Sequence, residues 1–554
     1  MSNMQEAKKF LIYAPLEERI GEEQTGRIKV GSQILKQMSK GVYSTPEMAL
    51  KELISNAFDA DATEVIIDSK SVPNSITIRD NGHGMDYKDF DENFVYISKS
   101  PKMDSSGQTT KYHRPIIGRL GIGFIAVSTL CNTMVISSAK QGSKTKFIAT
   151  LNFSKFKKKE HLKADFNDIS EFTLTNYERE EGDEDSFTYI ELRDLEPPFR
   201  DILLNKPEEG AKSRNFKNPN FEAIVKKIWS TTQHLEIGKD YGPYWKFVIN
   251  LASIVPIEYL PKGPIKDKKF SSITERYKKE ASQLNFKVIC DRMELKKPYL
   301  FPTKNAEEME YYDVLPLEGE IPVPGRGTVV YDGYVYSQST NIYVDDWRGL
   351  IVRVKNTSVG NISQNFLDYP QPGDSLYFKW TFGEIYIREG LDEAMNIDRA
   401  NFKKADPEFG KFVEQLHKQF QEIIFNSVQK RWRDKKERVS QEIESIKDRW
   451  RKNSLKKVFN KTFTFKESYQ TEGKPIIISM KDHTVFMNPS YELYEKFPRK
   501  EGQILKDILF AVTVAREKYP NNIKKQETLL LELIHNLAEK YPKPGLKFKY
   551  QRRK

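Results

Sequence analysis

The stretch KELISNAFDADATEVIID, from Lys51 to Asp68, allows few folded solutions. Leu53, Ile54, Ala57 and Phe58 recur at helical spacing, so it opens as a helix with one apolar face. Glu52, Asn56 and Asp59 follow the same spacing on an adjacent face. EVIID then reads as a β-strand, and so does SITIRD after it. The helix has to bury one stripe against a sheet while the other stays open. An ordinary amphipathic helix would show the same two stripes, so the neighbouring segments decide what the polar one is for.

The chain is long enough for several cores: 554 residues correspond to roughly three or four domains. No apolar run approaches the ~20 residues of a membrane span, and the first residues, MSNMQEAKKFLIYAPLEERI, lack a secretory pattern. Cys131 and Cys290 are the only cysteines, too few for a disulfide framework or a cysteine zinc site. The expectation is a cytoplasmic protein with no membrane segment. Net charge is +11 and uneven. From Asn401 to Lys554 there are 35 Lys/Arg against 20 Asp/Glu, whereas the preceding residues hold 54 against 58. A basic end of this kind either meets a polyanion or is a solvated helical surface.

Helix and strand patterns alternate up to about residue 195, with TKFIATLNF and FTYIELRDL as later strands. Between them, SKSPKMDSSGQTTKYHRPIIGRLGIGF is polar and punctuated by glycine, as a loop running into a helix would be. The passage NKPEEGAKSRNFKNPNF marks a boundary. Beyond it come the β-rich runs GTVVYDGYVYS, GLIVRVKN and FGEIYIREGL. A nearly breaker-free stretch with charges of alternating sign follows, expected as long helix. The expected domains are 25–212, 213–404, a long basic helical region over 405–462, and a small, mainly helical basic domain over 463–554.

Three segments carry chemistry. Glu52 and Asn56 lie one helical turn apart, and a carboxylate beside an amide oxygen suits hydrated Mg2+. The amide can touch the metal while the carboxylate polarises a water. In ITIRDNGHGMD, Asp80 ends a strand and is followed by Gly82 and Gly84. Glycines let backbone approach a flat ligand, and a buried carboxylate can accept from an exocyclic amine such as adenine's; a tight turn alone would also explain them. In IGRLGIGF, Gly118, Gly121 and Gly123 precede an apolar run, and free N–H groups at a helix start suit phosphates.

The order E-x-x-x-N, D-x-G-x-G, G-x-x-G-x-G resembles the GHKL ATPases: DNA gyrase, the ninety-kilodalton heat-shock chaperones, sensor histidine kinases and MutL. DNGHGMDYKDFDENFVYISKS is most similar to the chaperones. The resemblance implies a Bergerat-fold α/β sandwich ATPase domain and an α/β middle (transducer) domain; it does not extend past residue 404, where the sequence pattern adds a mainly helical basic C-terminal region, for an α+β fold. It implies ATP and Mg2+ as ligands, Asn56 on the metal, Asp80 on adenine, Asn93 on ribose, Glu52 as general base and a lid starting near Lys99. It places Asp59, Met85 and the loop Gly118, Arg119, Leu120, Gly121, Ile122, Gly123, Phe124 along the pocket. Thr188, in SFTYIELRDL, matches the family's late threonine, although the glycine before it there is Phe187 here. Farther on, GLIVRVKNTSVGN and MNIDRA resemble the chaperone middle domain and imply Arg399 as the cation that reaches the γ-phosphate, unless it only pairs with Asp392 or Asp398; resemblance to MutL and gyrase makes Lys355 the second candidate.

ATP hydrolysis is favoured over kinase chemistry, since none of the 7 histidines sits in a convincing phosphoacceptor helix. By resemblance the chain would be an ATP-gated homodimer or clamp. Its expected use is DNA-associated, of the restriction or antiphage kind with a partner nuclease. The basic region supports that use, whereas Trp432 and Trp450 within it suit core or coiled-coil packing more than base stacking. The alternative is a chaperone-like remodeller of protein clients.

Overall fold

In the computed structural model, helix α1 (Pro46–Asp59) opens with a proline in its first turn, where a missing N–H breaks no hydrogen bond. The structure describes residues 16–31, 45–69, 74–92, 109–118, 126–154, 166–180, 185–205, 220–231, 233–265, 268–301, 312–338, 341–370, 378–396, 401–471, 473–496 and 499–540. Asn93, Lys99, the loop Arg119–Phe124 and Arg399 lie outside these residues, as does the side chain of Trp432. Among the described residues the chain is mixed α and β, and it divides into two units, residues 1–426 and 427–554.

The first unit is built on a nine-stranded sheet in the order β1-β6-β5-β4-β7-β3-β2-β8-β9. Its strands are β1 (Glu23–Gly31), β2 (Glu64–Asp68), β3 (Ser75–Asp80), β4 (Cys131–Ala139), β5 (Thr145–Asn152), β6 (Phe166–Glu178), β7 (Phe187–Leu195), β8 (Lys287–Cys290) and β9 (Met293–Leu295). The last two therefore come from beyond residue 212. β8 continues the sheet by pairing parallel with β2 from Glu64↔Lys287 to Ile67↔Cys290.

Strand register orders the buried face into rows. Ile76, Leu192 and Met134 lie opposite one another across β3, β7 and β4, and so do Ile78, Ile190 and Ile136. Alternation brings every second residue to the same face. The next row on that face is Asp80, Thr188 and Ser138. Two apolar rows thus end in a polar one.

Helix α1 is covered on most of its circumference. Leu53, Ile54, Ala57 and Phe58 are 0–4% exposed, and Met48, Ala49 and Leu50 nearer its start are fully buried. After the short helix α2 (Tyr87–Phe90), helix α3 (Pro243–Ile254) packs against α1, with the Asn250 amide donating to Glu47 at 2.9 Å. The strip left open carries Glu52, half-buried, and Asn56, exposed.

A five-stranded sheet in the order β10-β11-β14-β12-β13 completes the first unit with helices α4 (Lys268–Ser282) and α5 (Pro407–Gln419). Its strands are β10 (Tyr312–Val323), β11 (Gly327–Gln338), β12 (Gly349–Val354), β13 (Thr357–Ser358) and β14 (Thr381–Glu389). At its centre Arg353 and Glu384, each 1% exposed, pair at 2.6 Å. The Tyr259 and Tyr334 hydroxyls donate to the other carboxylate oxygen at 2.7 and 2.6 Å. Burial pushes the Glu384 carboxyl up, but Arg353, Lys297 and these bonds outweigh it and hold the group below its ordinary value. Arg353 and Thr357 also donate to the Ser253 and Ile254 carbonyls at 2.8 and 3.1 Å, so the β12–β13 turn seals the C-terminal end of α3.

The second unit contains most of helix α6 (Asn426–Phe459), helices α7 (Arg499–Lys518) and α8 (Ile523–Lys540), and a sheet of β15 (Thr464–Glu467), β17 (Thr484–Met487) and β16 (Ile476–Ser479) in that order. Trp450, Leu455, Phe510, Val514 and Leu533 form its core. Trp450 is 1% exposed and its indole N–H donates to the Leu533 carbonyl at 3.1 Å, so it is a packing residue rather than a surface stacker.

Candidate functional site

The D-x-G-x-G turn leaves the sheet at the polar row. Asp80 is 8% exposed, and its Oδ1 accepts from the Gly82 N–H at 2.9 Å. Burial pushes the carboxyl up to about 7, with the Gly82 bond opposing. Only glycine fits at position 84. Its φ is +65°, and an added Cβ would stand 1.9 Å from the Ala139 carbonyl oxygen. At Gly82 a Cβ would meet the Ala60 carbonyl at 2.7 Å, so the turn is pressed against the residue that ends α1. The His83 N–H closes that contact by donating to the same carbonyl at 2.9 Å.

Ser138 organises the row and was not singled out in the sequence. Its hydroxyl accepts from the Met85 N–H at 2.9 Å and donates to the Phe187 carbonyl at 2.7 Å. The Thr188 hydroxyl lies 3.3 Å away. Phe187, which replaces the glycine of related sequences, thus contributes its carbonyl to the row. Alternation sends its side chain to the opposite face from Thr188. The signal for Ser138 was the small polar residue that ends the apolar alternation of β4.

The segment entering the glycine-rich loop is fastened to the C-terminal end of α1. Asp59, 9% exposed, accepts from the Ile117 and Gly118 N–H groups at 2.7 and 2.6 Å. Asp61, at φ +58°, accepts from Lys111 and Tyr112 at 2.8 and 3.2 Å. The buried guanidinium of Arg114 donates to the Ala62 and Asn285 carbonyls at 2.6 and 2.8 Å. It also lies over the Phe58 ring at 4.9 Å. Asp59 therefore serves the loop backbone, and neither Asp61 nor Arg114 was foreseen. From the other side, the Lys355 ammonium donates to the Ile116 carbonyl at 2.9 Å and stands 3.7 Å from Asp392. Lys51, 1% exposed, donates to the Ser358 carbonyl at 3.1 Å and lies 3.9 Å from Glu52.

The arrangement joins a buried acceptor in a turn that only glycine permits to a strip of α1 that carries the half-buried Glu52 carboxylate and the exposed Asn56 amide. Asp80, Thr188, Ser138 and Met85 come together, and Asn56 and Glu52 share one strip. Among the described residues no cluster of His, Cys, Asp and Glu is arranged to hold a metal by itself. No described helix is long and apolar enough to cross a membrane.

Residues 43–181 match the model of the histidine kinase-, DNA gyrase B- and HSP90-like ATPases. A protein of Herpetosiphon aurantiacus named as a putative type II restriction enzyme, HgiDII, is 36% identical over 114 residues, 21% of this chain and 18% of its own length. The chaperone protein HtpG of Vesicomyosocius okutanii is 32% identical over 136 residues, and HtpG of Rhodopseudomonas palustris BisB5 is 30% identical over 132. The chain spans about a fifth of the length of these relatives. The similarity to the histidine kinase-, DNA gyrase B- and HSP90-like ATPases therefore lies in the domain over residues 43–181.

Proposed function

We propose that the chain binds Mg·ATP at this site, hydrolyses it to ADP and phosphate, and uses the cycle as an ATP-gated, dimerising clamp associated with DNA. The observation that carries the nucleotide reading is the polar row Asp80–Thr188–Ser138 at the end of two apolar rows, beside the open strip of α1. A flat base would lie at the end of these rows, its exocyclic amine donating a hydrogen bond to Asp80. Gly84 lets the turn that carries Asp80 pack directly on the Ala139 carbonyl, which fixes the carboxyl at the end of the row. Asn56 would hold the metal by its amide oxygen, and Mg2+ would supply neutralisation of phosphate charge. Glu52, four residues earlier on the same strip, would orient the attacking water and take its proton. Phosphoryl transfer leaves little covalent work to the protein beyond such positioning. The Lys355 bond to Ile116 supports that lysine as a cation near the phosphates, with Arg399 the other candidate.

The restriction-enzyme name of one relative and the basic second unit favour the DNA-associated use. The HtpG relatives favour a remodeller of protein clients, over the same part of the chain. Steady-state phosphate release by the full chain and by Glu52→Ala tests the enzymatic claim. The variant is expected to keep nucleotide affinity within about threefold and to lose turnover by about 100-fold or more. Equal rates would defeat it.

A further inference from the structure

Read in order, the charges of α6 alternate in sign, but in space they separate. In its C-terminal half one side is internal. Lys447 and Arg451, 3% and 4% exposed, share Asp507 at 3.0 and 2.7 Å, and Arg451 also takes Glu444 and Asp448 at 3.1 and 2.9 Å. Trp450 and Leu455 lie on this side. Both described acidic groups of this half are thus drawn toward Arg451.

Arg449, Lys452 and Lys456 are exposed on the other side. Their spacing of three and then four residues, at about 100° each, confines them to an arc of roughly 60°. None of the three forms an ion pair among the described residues, whereas the neighbouring Lys457 is taken by Glu532 at 2.6 Å. From Arg449 to Lys466 the sequence has seven Lys/Arg and no Asp/Glu. Like charges one turn apart cost a helix a few tenths of a kcal/mol each, a cost that a polyanion would relieve. Ser445 and Asn453 flank the strip, which offers no aromatic or aliphatic anchor for a protein interface. Over the roughly 10 Å from Arg449 to Lys456, three fixed cations suit the closely repeated charges of a phosphodiester backbone.

We propose that Arg449, Lys452 and Lys456 form the contact surface for duplex DNA, which they hold through its phosphates without reading bases. The proposal rests on the DNA-associated reading above and specifies where on the second unit the duplex lies.

The test measures binding of a labelled mixed-sequence duplex to the full chain at several salt concentrations. It compares wild type with Arg449→Gln/Lys452→Gln/Lys456→Gln and with Lys466→Gln/Lys474→Gln/Lys481→Gln, three exposed lysines elsewhere on the unit. The first variant should bind at least about tenfold more weakly at low salt, and its slope of log K against log salt should fall by about 2 to 3. The second should change less on both counts. Circular dichroism checks that both variants are folded, which is expected because every substituted residue is solvent-facing. Equal losses in the two variants, or none in the first, would overturn the placement while leaving DNA association standing. Absence of duplex binding by wild type, with or without competition from an acidic peptide, would overturn the DNA-associated reading and this surface with it.

Discussion

At the scale of single residues, Asp80 sets the most direct constraint. Its carboxyl titrates near 7 because burial disfavours the charge. Between about pH 4 and pH 7 the folded chain keeps a proton that the unfolded chain has released, so stability falls as pH rises through that window. Asp80→Asn keeps an acceptor for Gly82 and does not ionise. Its stability margin over wild type should open between about pH 4 and 7 and then level off, to at most roughly 4 kcal/mol. Urea midpoints at several pH values measure this, and parallel curves would contradict it. Nucleotide affinity of wild type should move the opposite way, strengthening as Asp80 ionises. Asp80, Gly82 and Gly84 were legible because each must be its own residue type at its own offset. Ser138 was not, since a serine ending a strand looks like many others until the register sets it beside Thr188. Asp59 stood out on the polar stripe of α1, but its contact with Ile117 and Gly118 arises from the chain returning to α1 after more than fifty residues, which local spacing does not encode.

At the scale of elements, strands with clean alternation and turn residues at their ends were readable: EVIID, SITIRD and FTYIELRDL coincide with β2, β3 and β7. The partnership of β8 with β2 was not, because a four-residue parallel strand carries no sign of its neighbour. Nor was the polar centre of the second sheet, where Arg353 and Glu384 sit inside runs that otherwise read as apolar. Breaking that pair from one side leaves a buried carboxylate, so Arg353→Met should cost about 3–5 kcal/mol. Arg353→Met/Glu384→Leu should recover part of the loss. A double-mutant cycle by urea unfolding would show this as a coupling energy, and additive losses would mean the pair is not a unit.

At the scale of the whole molecule, each unit has a core of its own. Calorimetry should therefore resolve two transitions. An unhydrolysable ATP mimic at a hundredfold excess over its Kd should stabilise only the one belonging to residues 1–426, by about 2.7 kcal/mol. A single transition that shifts as one would contradict this. The alternating charges of α6 were legible as a long solvated helix, but their separation into an internal and an external side depends on Asp507, which lies far along the chain.

The seam between Glu64–Ile67 and Lys287–Cys290 has a mechanical consequence. Swivelling the later part of the first unit against the part that holds α1 and β2 would tear a run of ladder bonds from the sheet. The two therefore travel as a welded plate. Strain generated at the α1 strip would have to leave through side chains such as Lys51 and Lys355, as a push on the β12–β13 turn rather than as the swing of a door.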